Sequence, residues 1–129
     1  MAYYKIHFTI DEARAALPDL SRRLTRINDL ITEIRKIQQE VSILRGNGKG
    51  PLIGAVGPQK EEAQRMIEEI AAEGIQIKDL QSGLVDFPHF LNGDENHEVF
   101  LCWLLGEDTI EHWHEIADGF AGRQPLSDE

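Results

Sequence analysis

Between Gly83 and Pro125 the chain collects most of the side chains that could do chemistry. Both tryptophans, the only cysteine, four of the five histidines and an arginine in a glycine-rich loop fall there. His112 and His114 are one residue apart. On a strand both imidazoles face the same side, and a carboxylate such as Asp86, Glu107 or Glu115 could complete a divalent-metal site. On a helix the two rings diverge and that idea weakens. Arg123 lies in Gly119-Phe120-Ala121-Gly122-Arg123-Gln124-Pro125, where glycines permit close backbone approach and the guanidinium offers a fork to a carboxylate or phosphate. The plainer alternative is an internal ion pair of Arg123 with Asp86, Glu107 or Glu115, clasping the tail onto the sheet. Cys102, Trp103 and Trp113 read as packing residues, the thiol as a small hydrophobe and the indoles as core or core-edge groups.

Composition bounds what such a site can belong to. At 129 residues the chain fits a single domain, 1–129, with a modest core. One cysteine cannot form an internal disulfide, and neither a signal core nor a membrane-spanning apolar run is visible, so a cytoplasmic protein without a membrane partner is expected. The net charge of −10 argues against nucleic acid as a partner. The charge is uneven: residues 1–50 carry 9 Lys and Arg against 6 Asp and Glu, and residues 51–129 carry 4 against 17. A mildly basic helix against an acidic remainder, or an acidic neighbouring subunit, accounts for that division.

The elements that must position the site follow from periodicity. Tyr4, Ile6 and Phe8 alternate with polar residues as in a short strand. Thr9 and Glu12 have capping-box spacing, which starts a helix, and Pro18 predicts a kink or restart. Leu17, Leu20, Leu24, Ile27, Ile31, Ile34 and Val41 form a helical stripe, with Leu30, Ile37 and Leu44 as a second row. A helix from Pro18 to Arg45 would be about 42 Å long, against a radius of gyration of about 14 Å for a domain of this size. It therefore projects or forms the spine of a homodimer, and self-association through this helix, as in a coiled coil, is expected. Residues 46–58 read as a mobile glycine-rich connection, because Gly46-Asn47-Gly48-Lys49-Gly50 lacks the Ser or Thr of a phosphate loop. A second helix from Pro58 ends at Gly74 in a Schellman arrangement, making an antiparallel hairpin over about 10–73. Strands follow over about 75–126: one at Ile75–Lys78, one at Leu84–Phe87 that Pro88 ends or keeps at an edge, and a hairpin loop at Asn92–Asn96. Val99–Leu105 is apolar on both alternations and reads as a central strand. Residues 107–118 lean towards an extended strand, and Ser127-Asp128-Glu129 towards a frayed end. The fold class is α+β, a long antiparallel helical hairpin packed on a small antiparallel sheet of about three to five strands.

The order Phe8-Thr9-x-x-Glu12-Ala13, Lys78-Asp79-Leu80-x-x-Gly83-Leu84-Val85-Asp86-Phe87-Pro88, Leu101-Cys102-Trp103-x-Leu105-Gly106-Glu107, Trp113-His114-Glu115 and Gly119-Phe120-Ala121-Gly122-Arg123 resembles a family of small prokaryotic proteins, the domain of unknown function family 2203. That resemblance implies no activity. It includes His114 and leaves out His112, so Asp86, Glu107, His114, Glu115 and Arg123 stand as the candidate ligand-binding set. Three functions remain open: a non-enzymatic binding or regulatory domain with a polar pocket at the sheet end for an unidentified small ligand or divalent metal, a helical interaction module, and a metal-dependent hydrolase.

Overall fold

The structure, a computed structural model, describes residues 2–44 and 53–126. Helix α1 (Ile10–Leu44) and helix α2 (Ile53–Ala72) precede strands β1 (Gln76–Asp79), β2 (Leu84–Phe90), β3 (Glu98–Leu104), β4 (His112–Glu115) and β5 (Gln124–Pro125). The expected glycine-rich connection lies for the most part outside the described residues, as does the expected frayed end at 127–129. Among the described residues no helix is long and apolar enough to cross a membrane.

Helix α1 begins as its sequence dictates. The backbone N–H of Glu12 donates to Thr9 Oγ1 at 3.1 Å, and that of Thr9 donates to Glu12 Oε1 at 2.8 Å, which satisfies two otherwise orphaned donors. The helix does not restart at Pro18 and runs unbroken to Leu44. Pro18 and Arg14 both lie on the exposed side of α1, where water can satisfy the carbonyl that proline leaves unbonded. Helix α2 begins at Ile53, five residues before the expected start, so Pro58 is an interior residue. Its other end is as expected. Gly74, at φ 95°, donates to Ala71 O, and Ile75 N donates to Ile70 O, with Ile70 and Ile75 both in the core. Arg23 pairs with Glu73 and Arg26 with Glu62, so the order reverses from one helix to the other and the hairpin is antiparallel.

The five strands make one antiparallel meander in the order β1-β2-β3-β4-β5. Alternation sorts their side chains onto two faces. Val85, Phe87, Leu101 and Trp103 turn to the helices and join Leu17, Leu20, Leu24, Ile27 and Ile70 in the core. Asp86, Pro88, Phe100, Cys102, His112 and His114 occupy the outer face, and β3 is buried on both of its faces. Strand β2 continues through Pro88 to Phe90. Pairing with β1 reaches only as far as Asp86, so the missing N–H of Pro88 interrupts no ladder on that side.

The expected strand at Tyr4–Phe8 does not form. Tyr3 and Tyr4 donate their backbone N–H groups to the Glu98 carboxylate at 2.7 and 3.1 Å, and the His7 ring meets the same carboxylate at 2.7 Å. A side chain thus takes the hydrogen bonds that a neighbouring strand would have taken. The segment instead straps the sheet: Tyr4 lies against Phe100 on the outer face and Phe8 against Phe87 on the helix face.

Gly83 closes the β1–β2 turn at φ 77°, and a Cβ there would stand 2.5 Å from Leu105 Cβ. Gly83→Ala should lower the unfolding free energy in urea by about 1–3 kcal/mol. Gly57→Ala, inside α2 with no atom within 4 Å of the added carbon, should raise it by up to about 1 kcal/mol. Equal effects at the two positions would contradict the close approach at Gly83.

Candidate functional site

Three adjacent strands each contribute one polar side chain to the middle of the outer face. Asp86 on β2 is directly opposite Cys102 on β3, and His114 on β4 is opposite Phe100. His114 reaches across β3 to Asp86, placing Nε2 3.0 Å from Oδ1. One ligand atom from each of Asp86, Cys102 and His114 lies within 4.8 Å of the other two. Asp86 and His114 are each 2% exposed and Cys102 is fully buried. His114 Nδ1 is 2.7 Å from the carbonyl oxygen of Glu115, which can only accept, so Nδ1 carries a hydrogen and Nε2 is the nitrogen turned towards the cluster.

A second pair borders the first. Arg123 donates to Glu107 Oε1 at 2.6 Å and, more weakly, to the Cys102 carbonyl at 3.3 Å. The Glu107 carboxylate also accepts from the Leu104 backbone N–H at 2.8 Å. Arg123 stacks on Phe120, 4.5 Å from the ring centroid, and Gly122 is tight against Asp118, whose Cβ lies 2.7 Å from where a glycine Cβ would stand. The loop after β4 is therefore shaped to lay the guanidinium over the sheet.

The family model described as Uncharacterized conserved protein (DUF2203) matches residues 6–126. The chain belongs to this family. No curated protein and no solved structure matches it. The DUF2203 match takes in every residue of the cluster.

Of the five candidates, Asp86, His114, Glu107 and Arg123 are gathered on the outer face. Glu115 is not. Its side chain points away from His114, as alternation requires, and meets His97 at 2.6 Å in a half-exposed pair. His112 shares the outer face with His114 but lies outside the group of convergent ligand atoms. Among the described residues its Nδ1, like Arg123 Nε, is buried without a hydrogen-bond partner. Cys102, read from sequence as packing alone, is at the centre. A signal for it existed: centring the β2–β3 hairpin on Asp94 pairs Asp86 with Cys102.

Burial governs the protonation states. It pushes the Asp86 carboxyl up, against the pull of His114, of a hydrogen bond from the Cys102 thiol and of Lys78. Burial, reinforced by the Asp86 charge, pushes the Cys102 thiol up to about 12 despite Arg123. Burial also pushes Glu107 up, but hydrogen bonds from Arg123 and the Leu104 N–H outweigh it and hold the carboxyl below its ordinary range.

His114→Ala strands a buried carboxylate and should destabilise the fold by about 3–5 kcal/mol in denaturant titration. Glu115→Ala, which breaks only a half-exposed pair, should change stability by less than about 1 kcal/mol. A His114→Ala effect as small as that of Glu115→Ala would mean that Asp86 is hydrated.

Proposed function

We propose that the chain is a non-catalytic binding domain whose ligand site is the outer face of the sheet around Asp86, Cys102 and His114. The observation that carries this reading is the convergence of three buried polar side chains on the face turned away from the helices. Fold stability alone does not call for them, since well-packed apolar residues of similar volume serve a buried position as well or better. The helical hairpin supports the opposite face and holds the three strands in register.

Binding is favoured over nucleophilic catalysis by the state of Cys102. A catalytic cysteine works as a thiolate in an electropositive, accessible setting. Here the thiol is buried beside a carboxylate and raised to about 12. A second reading, self-association through the far half of α1, is supported by Ile34, Ile37 and Val41, which stay half-buried while Leu20, Leu24 and Ile27 are fully buried.

Thiol reactivity tests the main reading. In native protein at neutral pH, Ellman's reagent should modify Cys102 only as fast as the protein unfolds, and adding urea should accelerate labelling steeply. Rapid labelling of the native protein, independent of urea, would reveal an activated thiolate and would overturn the binding reading in favour of an enzyme.

A further inference from the structure

We infer that the ligand of this site is a divalent transition-metal ion of the zinc type, held by Asp86 Oδ, Cys102 Sγ and His114 Nε2. The inference rests on the binding reading above and names its ligand. The donor set is the first reason. One thiolate, one imidazole and one carboxylate suit zinc, cobalt or nickel, whereas magnesium and calcium take oxygen donors alone.

Geometry is the second reason. Donors around a tetrahedral zinc lie about 3.3–3.6 Å apart, given bonds of about 2.0–2.3 Å. The three ligand atoms already fall within 4.8 Å of one another, with Asp86 and His114 at 3.0 Å. Shifts of a few tenths of an ångström to about one ångström would seat the ion. The Nδ1–H of His114 against the Glu115 carbonyl is the outer-shell hydrogen bond that metal-ligating histidines make, and it aims Nε2 at the ion.

Charge balance is the third. One proton lies between His114 Nε2 and Asp86 Oδ1, and a second is on the Cys102 sulfur, hydrogen-bonded to Asp86. Binding forms M–N, M–O and M–S bonds, breaks the hydrogen bond between Nε2 and Oδ1 and the S–H bond, and releases both protons to solvent. Two unit charges leave and one doubly charged ion enters, so the buried site keeps its net charge. Arg123 stays on Glu107 and needs no counter-ion from the metal site. Three protein donors leave a fourth position for water or a small ligand.

The test is competition titration of the purified, metal-stripped chain with Zn2+ and Co2+, with Mg2+ for comparison. Expected results are one Zn2+ per chain, release of about two protons, and an affinity that falls about 100-fold for each pH unit of acidification. The Co2+ form should show a sulfur-to-cobalt charge-transfer band. Cys102→Ala should remove that band and weaken binding beyond the roughly 10–100-fold seen for loss of an outer-shell partner. His112→Asn should leave both unchanged. Zn2+ and Co2+ bound no better than Mg2+, binding that survives Cys102→Ala, or equal loss on His112→Asn would each overturn the metal assignment. Slow native labelling of Cys102 alongside such a result would leave the binding-domain reading standing, whereas fast labelling would remove that reading itself.

Discussion

Asp86 carries a carboxylate between Val85 and Phe87 on a strand that water does not reach, and that position dictates much of what surrounds it. A carboxylate out of water needs donors or a cation close by, or else it gives up its charge. The sheet supplies two, the imidazole of His114 from one strand and the thiol of Cys102 from the strand between. Each donor is useful only if β2, β3 and β4 keep their register, because a slip of one residue would turn every one of these side chains to the helix face. The helical hairpin holds that register from the other side, through Phe87, Leu101 and Trp103.

Two further carboxylates fasten the cover over the outer face, one near each end of β3. Glu98 holds the N-terminal segment through the N–H groups of Tyr3 and Tyr4 and the ring of His7. Glu107 holds the C-terminal loop through Arg123 and takes the Leu104 N–H as well. Burial alone would raise both groups, yet both are held below the ordinary carboxylate range because several hydrogen bonds favour the charged form. The polar residues of the outer face thus divide by task. Glu98 and Glu107 tie chain segments together, while Asp86, Cys102 and His114 converge on one another in the interior.

Local signals in the sequence were sufficient for the parts of the fold that depend on local physics. The Thr9–Glu12 box, the Gly74 termination, the α1 stripe and the doubly apolar β3 each follow from residues within a turn or two of one another. Where long-range contacts decide, the same signals fall short. Tyr4, Ile6 and Phe8 alternate like a strand, but a carboxylate more than ninety residues away captures the backbone donors. Pro18 and Pro58 suggest helix boundaries, yet each helix continues through its proline. At the site, the like facing of His112 and His114 was legible from alternation. The position of Cys102 opposite Asp86 was legible only through the hairpin as a whole, because it follows from centring β2 and β3 on Asp94 and not from any residue beside Cys102. Glu115 shows the complementary case, since the alternation that puts His114 on the outer face sends its neighbour the other way, to His97.

Anomalous diffraction at the zinc edge, from crystals grown with one equivalent of Zn2+, tests whether Asp86, Cys102 and His114 form one ligand-binding centre. A single strong peak is expected between Cys102 Sγ, His114 Nε2 and the Asp86 carboxylate, with Arg123 still on Glu107. A peak elsewhere, or none while Asp86 remains hydrogen-bonded to His114 and Cys102, would contradict it.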